Sequence, residues 1–215
     1  MKKTLILIAV ISMTAGMVFA DSHGLYGTPE GDWRFSGSRF YQNDEDAPRA
    51  KAWLAVPQKT SMIYEFTMRY EGGGQDGHGG VGLHILGNSA SNGKAWGFGD
   101  SWLLWLNYDI DPEAPMVPRG VSAQIYKSSN DTTMEIVKSV SLSSYAAILA
   151  DNLYTDIPMK LTFLKDSGRV IIADPTGMTA GWYIDLPGAR GDSGMYVAAR
   201  TNGVSVSFTS PDVNM

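Results

Sequence analysis

Three acidic side chains stand two residues apart in the stretch Asp109-Ile110-Asp111-Pro112-Glu113. Residues two apart on a β-strand share one face at a separation of about 6.6 Å, and a retaining glycosidase needs two carboxyl groups about 5–5.5 Å apart. The spacing therefore permits glycosidic hydrolysis, with Asp109, Asp111 and Glu113 as the candidate catalytic residues. Pro112 argues against a central strand, because proline removes a hydrogen-bond donor from the ladder. A surface turn or a calcium-binding loop explains the stretch without catalysis, so we lean towards a protein that is not an enzyme.

A second group of candidate residues combines an aromatic ring with hydrogen-bonding side chains. Along the predicted strand 102–109, Trp105, Asn107 and Asp109 share the face opposite the apolar one. If the strands that carry Arg69 and His84 are its neighbours, all five side chains share one sheet face. A pyranose ring stacks on tryptophan while its hydroxyls bond to amides, carboxylates and guanidinium groups. We therefore predict a ligand-binding face here; the alternative is that Trp105 packs under a loop and the polar groups only face solvent.

Trp96 is a further candidate ligand contact, because it stands between glycines in Gly93-Lys94-Ala95-Trp96-Gly97-Phe98-Gly99. A large aromatic residue in such a stretch has little local reason to be buried, so we predict an exposed contact at a loop rim. Trp33, Trp53 and Trp182 lie in strand-like runs and are expected in the core.

The elements that must position these residues are β-strands. In Met62 to Tyr70 every even-numbered side chain is large and apolar, and most odd-numbered ones are polar, which is typical of a half-buried strand. Asn202-Gly203 predicts a tight hairpin turn, and one short helix is predicted over 144–152. Similar patterns predict strands over 33–41, 51–56, 61–71, 80–87, 102–109, 121–127, 133–141, 158–165, 168–173, 181–186, 194–200 and 203–209. So many short strands with Gly-rich turns predict an all-β, two-sheet antiparallel β-sandwich of jelly-roll type with at most one short helix.

The amino-terminal end indicates export. Lys2 and Lys3 precede a short apolar run that ends in Val18-Phe19-Ala20, as in a secretory signal peptide. We predict a signal peptide over 1–20, a single domain over 21–215, no transmembrane segment in the mature chain, and a periplasmic or extracellular location.

The composition excludes some functions. Without the first twenty residues the chain has 15 basic and 22 acidic residues, a formal charge of about −7, which argues against nucleic acid as a partner. The absence of cysteine excludes thiol chemistry.

Several stretches resemble the concanavalin A-like lectin and glucanase superfamily: 34–40, 64–70 followed by 80–85, 160–163, 194–200 and 204–208. The resemblance implies a jelly roll of two stacked sheets that binds or cleaves glycans, with structural and adhesive members as well. The glucanase branch carries its acids as Glu-x-Asp-x-Glu, from which this chain departs by Asp109 in the first position. We therefore expect a non-catalytic protein that binds a glycan or an envelope component, with calcium as the only cofactor considered. The alternatives are a glycoside hydrolase and a self-assembling structural subunit of a cell-envelope or surface filament.

Overall fold

The computed structural model describes residues 25–27, 31–74, 76–90, 96–142, 154–175, 177–209 and 212–214. These residues form fifteen β-strands and no helix. The strands are β1 (Leu25–Gly27), β2 (Trp33–Ser36), β3 (Arg39–Gln42), β4 (Ala50–Gln58), β5 (Met62–Gly73), β6 (His78–Gly87), β7 (Ser101–Asp109), β8 (Gly120–Ser128), β9 (Met134–Ser141), β10 (Asp156–Leu164), β11 (Arg169–Ile172), β12 (Trp182–Asp185), β13 (Gly194–Asn202), β14 (Val204–Thr209) and β15 (Asp212–Asn214).

The strands form two antiparallel sheets. The first sheet has seven strands in the order β1-β4-β13-β6-β7-β8-β9, and the second has eight, seven of them in the order β12-β11-β10-β5-β14-β3-β2 with β15 paired to β5. The two sheets pack face to face through the apolar side of each strand, as the alternation in the sequence requires. The predicted two-sheet antiparallel jelly-roll sandwich is confirmed.

The core lies between the sheets and is built from the alternating apolar residues. On β5 the side chains of Met62, Tyr64 and Met68 are almost completely buried, and on β7 Trp102 and Leu104 face them from the other sheet. The intervening residues of both strands turn outward. This alternation fixes which side chains each sheet presents on its outer face.

Two local predictions were wrong. The strand predicted over 33–41 is a hairpin of β2 and β3, because Gly37 takes a left-handed φ of 63° and reverses the chain. Asn202-Gly203 does not make a hairpin within one sheet, since β13 belongs to the first sheet and β14 to the second. Gly203, with φ of 65°, turns the chain from one sheet to the other.

Other predictions lie outside the described residues. These are the signal peptide over 1–20 and the helix over 144–152, and both stay predictions, as does the single domain over 21–215. Among the residues that the structure describes, no helix has the length and apolar character needed to cross a membrane.

Candidate functional site

The candidate site lies on the outer face of the first sheet, the side turned away from the core. The register of the strands places side chains from five neighbouring strands next to one another there. Trp105 lies opposite Gly82 on β6 and Gln124 on β8, and Arg200 on β13 lies on the other side of Gly82. The polar and aromatic side chains of this face are Lys51, Trp53, His84, Trp105, Asn107, Asp109, Ser122, Gln124, Tyr126 and Arg200.

The indole of Trp105 lies flat across the neighbouring strand β6. A methyl group on Gly80 would come within 2.2 Å of the Trp105 ring, and one on Gly82 within 2.8 Å of it. The two glycines therefore leave the space that the ring occupies. The indole N–H donates to Oδ1 of Asn107 at 3.0 Å, which fixes the ring along the strand. As predicted, Trp105 and Asn107 share one face, but Trp105 is only 8% exposed.

Arg200 is stacked between two indole rings. Its guanidinium carbon lies 4.8 Å from the ring centre of Trp96 and 5.7 Å from that of Trp105, and it also donates to the backbone carbonyl of Trp96. The Arg49 guanidinium lies 5.4 Å from the Trp96 ring. Trp96 is 39% exposed at the end of this stack, so it stands at the rim as the sequence predicted. Desolvated cation–π pairs of this kind are strong and hold both partners in place.

Beside this stack a chain of hydrogen bonds runs along β8. The Tyr126 hydroxyl donates to Oε1 of Gln124 at 2.6 Å, and Nε2 of Gln124 donates to the Ser122 hydroxyl at 2.9 Å. Burial raises the pKa of Tyr126, against the opposing effect of the nearby Arg200. The phenol is therefore neutral and keeps its proton in this network at neutral pH.

His84 lies on the predicted face but cannot contact a ligand from the surface. The segment 96–100 folds over it, and the Phe98 ring lies 5.4 Å from the imidazole. His84 is completely buried, with Nδ1 3.0 Å from the Ser101 hydroxyl. Desolvation, reinforced by the charges of Arg200 and Lys51, holds the pKa of His84 well below 6.5. The expectation that His84 presents a polar group at the site is wrong, because a loop residue has taken the space above it.

Arg69 does not share this face either. Its strand, β5, belongs to the second sheet, because the Gly-rich stretch after it carries the chain across to β6 in the first. There the Arg69 guanidinium lies 2.8 Å from Glu71 and donates to the Tyr41 hydroxyl at 3.1 Å. The prediction that placed Arg69 beside Trp105 is therefore wrong.

The three candidate catalytic carboxylates do not lie on one strand. β7 ends at Asp109, and Asp111 and Glu113 are exposed in the loop that follows. Asp109 accepts a hydrogen bond from the Asp111 backbone at 3.0 Å and lies 3.1 Å from Nδ1 of His78. The premise of a catalytic strand is wrong. Within the described ranges no group of three or more acidic or histidine side chains is arranged to hold a metal ion. The structure therefore gives no support to the predicted calcium loop, which stays a prediction.

Arg200 and Gln124 were missed by the sequence reasoning. Arg200 occupies an outward position in the alternation of 194–200, which was the one available signal. Its neighbours Gly82 and Lys51 are more than a hundred residues away in the chain, on β6 and β4. Turn signals and alternation do not report such long-range pairing.

The fold is shared with known carbohydrate-recognising domains. The carbohydrate binding module CBM66 from Bacillus subtilis superposes with a TM-score of 0.56 at 10% identity, over 89% of this chain and 96% of that chain. The legume lectin-like domain from Entamoeba histolytica superposes with a TM-score of 0.57 at 11% identity, over 86% of this chain and 87% of that chain. The potassium-bound carbohydrate recognition domain of Emp46p gives 0.55 at 14% identity, over 86% of each chain. No protein-family model and no curated protein matches the sequence.

These likenesses define the class of fold. The chain has the two-sheet jelly-roll fold of these domains, as its sequence predicted. At these identities the likeness concerns the fold, and the chemistry of this chain has to come from its own side chains.

Proposed function

We propose that the protein is exported and binds a carbohydrate, free or as part of an envelope component, on the outer face of the first sheet without cleaving it. The observation that carries the proposal is the stack of Trp96, Arg200 and Trp105. It combines an exposed aromatic surface with hydrogen-bonding groups, which is the chemistry that a sugar requires. The similar structures include a carbohydrate binding module and a carbohydrate recognition domain, which supports the same proposal.

Trp96 is the residue that would meet the sugar first. Its ring is 39% exposed, and the two guanidinium groups beside it restrict its motion, so little entropy is lost on binding. Asn107 and Tyr126, both half-buried on the same face of the sheet, are the groups that we assign to bond the sugar hydroxyls. Trp105 and Arg200, buried beneath, support this surface.

We propose binding without hydrolysis because of the positions of Asp109, Asp111 and Glu113. Asp109 is held by His78 and by the backbone of Asp111, and the other two acids of the motif are in a loop. A retaining glycosidase needs an acid and a nucleophile fixed on opposite sides of one bond. We therefore assign Asp109 to the end of the strand and not to catalysis.

The test is a glycan array and a polysaccharide pull-down with purified protein and with the variant Trp96→Ala. We expect binding to at least one glycan class and a loss of about 2 kcal/mol or more in Trp96→Ala, which is typical of an aromatic hot spot. Because the Trp96 ring also contacts Arg200 and Arg49, its removal should lower the free energy of unfolding by about 1–2 kcal/mol, and binding is measured under conditions in which urea unfolding shows the variant to be fully folded. The matched control is Tyr183→Ala, which removes a 58% exposed aromatic side chain from the second sheet and should bind as the unmodified protein does.

Two outcomes would contradict the proposal. Equal loss of binding in both variants would show that the site is elsewhere. No binding to any glycan, together with ordered self-association in size-exclusion chromatography, would favour the structural-subunit alternative. The proposed periplasmic or extracellular location is tested separately, by fractionating cells and measuring the amino terminus of the exported chain by mass spectrometry.

A further inference from the structure

An apolar cavity of about 400 Å³ lies between the two sheets, on the opposite side of the first sheet from the proposed sugar site. Its walls come from the core-facing side of both sheets. Leu104, Leu106 and Ala123 line it from the first sheet, and Phe66, Met159 and Ile172 from the second. Apart from its mouth, the lining is almost entirely hydrocarbon.

The cavity separates the core into two clusters of buried residues. One cluster contains Leu104 and Leu161, the other Met68 and Ile157, and all four also line the cavity. Core-facing side chains between the clusters, such as Leu106, are only half-buried. Protein interiors are close-packed, with few voids larger than a water molecule. A space of about 400 Å³ within the sandwich is therefore much larger than the voids that ordinary core packing leaves.

The cavity opens at one edge of the sandwich, between the last strands of the two sheets, β9 and β12. Val140 on β9 and Tyr183 on β12 are 41% and 58% exposed at this mouth. Lys138 also lines the mouth. It pairs with Ile125 and so projects from the core-facing side of β9. Across the mouth, Asp185 is bound by Arg169 at 2.7 Å.

We propose that this cavity binds a fatty acid, with the alkyl chain between the sheets and the carboxylate at Lys138. A dry cavity of about 150 Å³ lined by apolar side chains accommodates benzene, so this volume is sufficient for a considerably longer alkyl chain. An apolar lining with a net charge at the entrance is typical of a site that orients an amphiphile. The bond from Arg169 and, after it, the charge of Lys138 lower the pKa of Asp185, so two cations stand near one carboxylate at the entrance. The entrance therefore keeps a net positive charge, and Lys138, which lines the cavity, is the cation placed to meet a fatty-acid carboxylate.

The site is independent of the proposed sugar site, because a sheet of β-strands separates them. A substitution can therefore abolish binding at one site and leave binding at the other site intact. Trp96→Ala should bind fatty acid normally, and variants of the cavity should bind glycan normally.

The test is calorimetric titration of the delipidated protein with dodecanoate and, as an uncharged probe of the same length, dodecanol. We expect one site per chain for both ligands. Ala123→Phe places a ring in the cavity and should weaken both ligands by about tenfold or more. If that variant does not fold, Val140→Trp narrows the mouth at an exposed position and should have the same effect on both ligands.

The head-group assignment is tested by Lys138→Gln and Lys138→Glu. Both variants should weaken the binding of dodecanoate, and Lys138→Glu should have the larger effect, about tenfold. The affinity for dodecanol should stay unchanged in both. A lysine that only protected the sheet edge from pairing would be replaced equally well by glutamate. The matched control is Lys59→Ala, an exposed lysine in the turn between β4 and β5, which should bind both ligands normally.

Three results would overturn the proposal. One is that neither ligand binds. Another is binding that survives both Ala123→Phe and Val140→Trp. The third is dodecanoate affinity that Lys138→Glu does not change.

Discussion

The outer faces of the two sheets carry similar polar residues but hold them in different ways. On the second sheet Arg39 is paired with Asp156 at 2.9 Å and Arg69 with Glu71 at 2.8 Å. The side chains of Asp156 and Arg69 are 54% and 25% exposed, so each pair reaches solvent through one of its two partners. On the first sheet Arg200 is 1% exposed and lies between indole rings. The first arrangement is a surface ion-pair network, and the second is a packed layer outside the core.

The difference shows where the binding surface can be. Ion pairs at the surface contribute little stability and leave their groups hydrated. A cation fixed against aromatic rings is already desolvated, and the rings beside it are held in one orientation. A ligand therefore finds a preorganised surface on the first sheet and a hydrated one on the second.

The largest effect should come from removing the Trp105 ring. Trp105→Ala is expected to lower the free energy of unfolding by about 3–5 kcal/mol, because the ring is buried against β6. Urea unfolding in a sucrose-stabilised buffer measures this. Gly80→Ala, which pushes a methyl group against the ring, should cost about 1–3 kcal/mol in the unmodified protein.

The same pair of residues gives a double-mutant cycle with its own control. The three atoms nearest to a methyl group on Gly80 all belong to the Trp105 ring, so Gly80→Ala should cost less than about 0.5 kcal/mol once Trp105 is alanine. A methyl group on Gly82 also meets the Leu104 backbone carbonyl at 2.3 Å. Gly82→Ala should therefore remain destabilising in both backgrounds. Equal rescue of both glycine variants would contradict this packing.

A change of pH is expected to have an intermediate effect on the free energy of unfolding. The pKa of His84 is well below 6.5 in the folded protein because of desolvation first and then the charges of Arg200 and Lys51. The unfolded chain takes up this proton near pH 6.5 and the folded chain does not. Stability should therefore fall as pH drops below about 6.5, by about 1.4 kcal/mol per pH unit for one proton. Urea unfolding at pH 6.5, 6.0, 5.5 and 5.0 measures the slope.

The control for this slope is the other histidine of β6. His84→Gln should remove the slope between pH 6 and 5, whereas His78→Gln should keep it, since His78 is 51% exposed beside Asp109. A slope that persists in His84→Gln would assign the proton to another group.

The smallest effect is expected on the second sheet. Arg69→Met should cost about 1 kcal/mol, because the Arg69 side chain is itself 25% exposed and Glu71 keeps the hydrogen bond that the Ser207 hydroxyl donates to it. Thermal unfolding measures this, and glycan binding should be unchanged. A loss of glycan binding in Arg69→Met would remove the distinction between the two faces.

Much of the fold could be predicted because alternation is a local property. The strands β4 to β14 were found within a few residues of their observed ends, and the placement of Trp105 and Asn107 on one face needed only the alternation of β7. The prediction was wrong where two strands adjacent in sequence were expected to be neighbours in one sheet. The Gly-rich turn after β5 and the Asn202-Gly203 turn after β13 both change sheets, and a turn signal marks where the chain bends but not which sheet receives it.

The candidate site was only partly predictable because some of its residues come together over long sequence separations. Trp105 and His84 lie on strands adjacent in sequence, while Arg200 joins them through the pairing of β13 with β6. The burial of His84 depends on Phe98, whose packing follows from a loop with no repeating pattern. Neither relation leaves a periodic signal in the sequence.

The strand order also constrains how the protein can fold. β13 lies between β4 and β6, and β14 lies between β5 and β3, so each sheet has one of its inner strands near the carboxyl end of the chain. During synthesis β4, β6, β5 and β3 have no partner on that side until residues 194–209 leave the ribosome. Pairing over such distances is slow and exposes strand edges. Neither sheet can complete its strand order before β13 and β14 are present, so a chain that lacks them keeps four strands with an open edge.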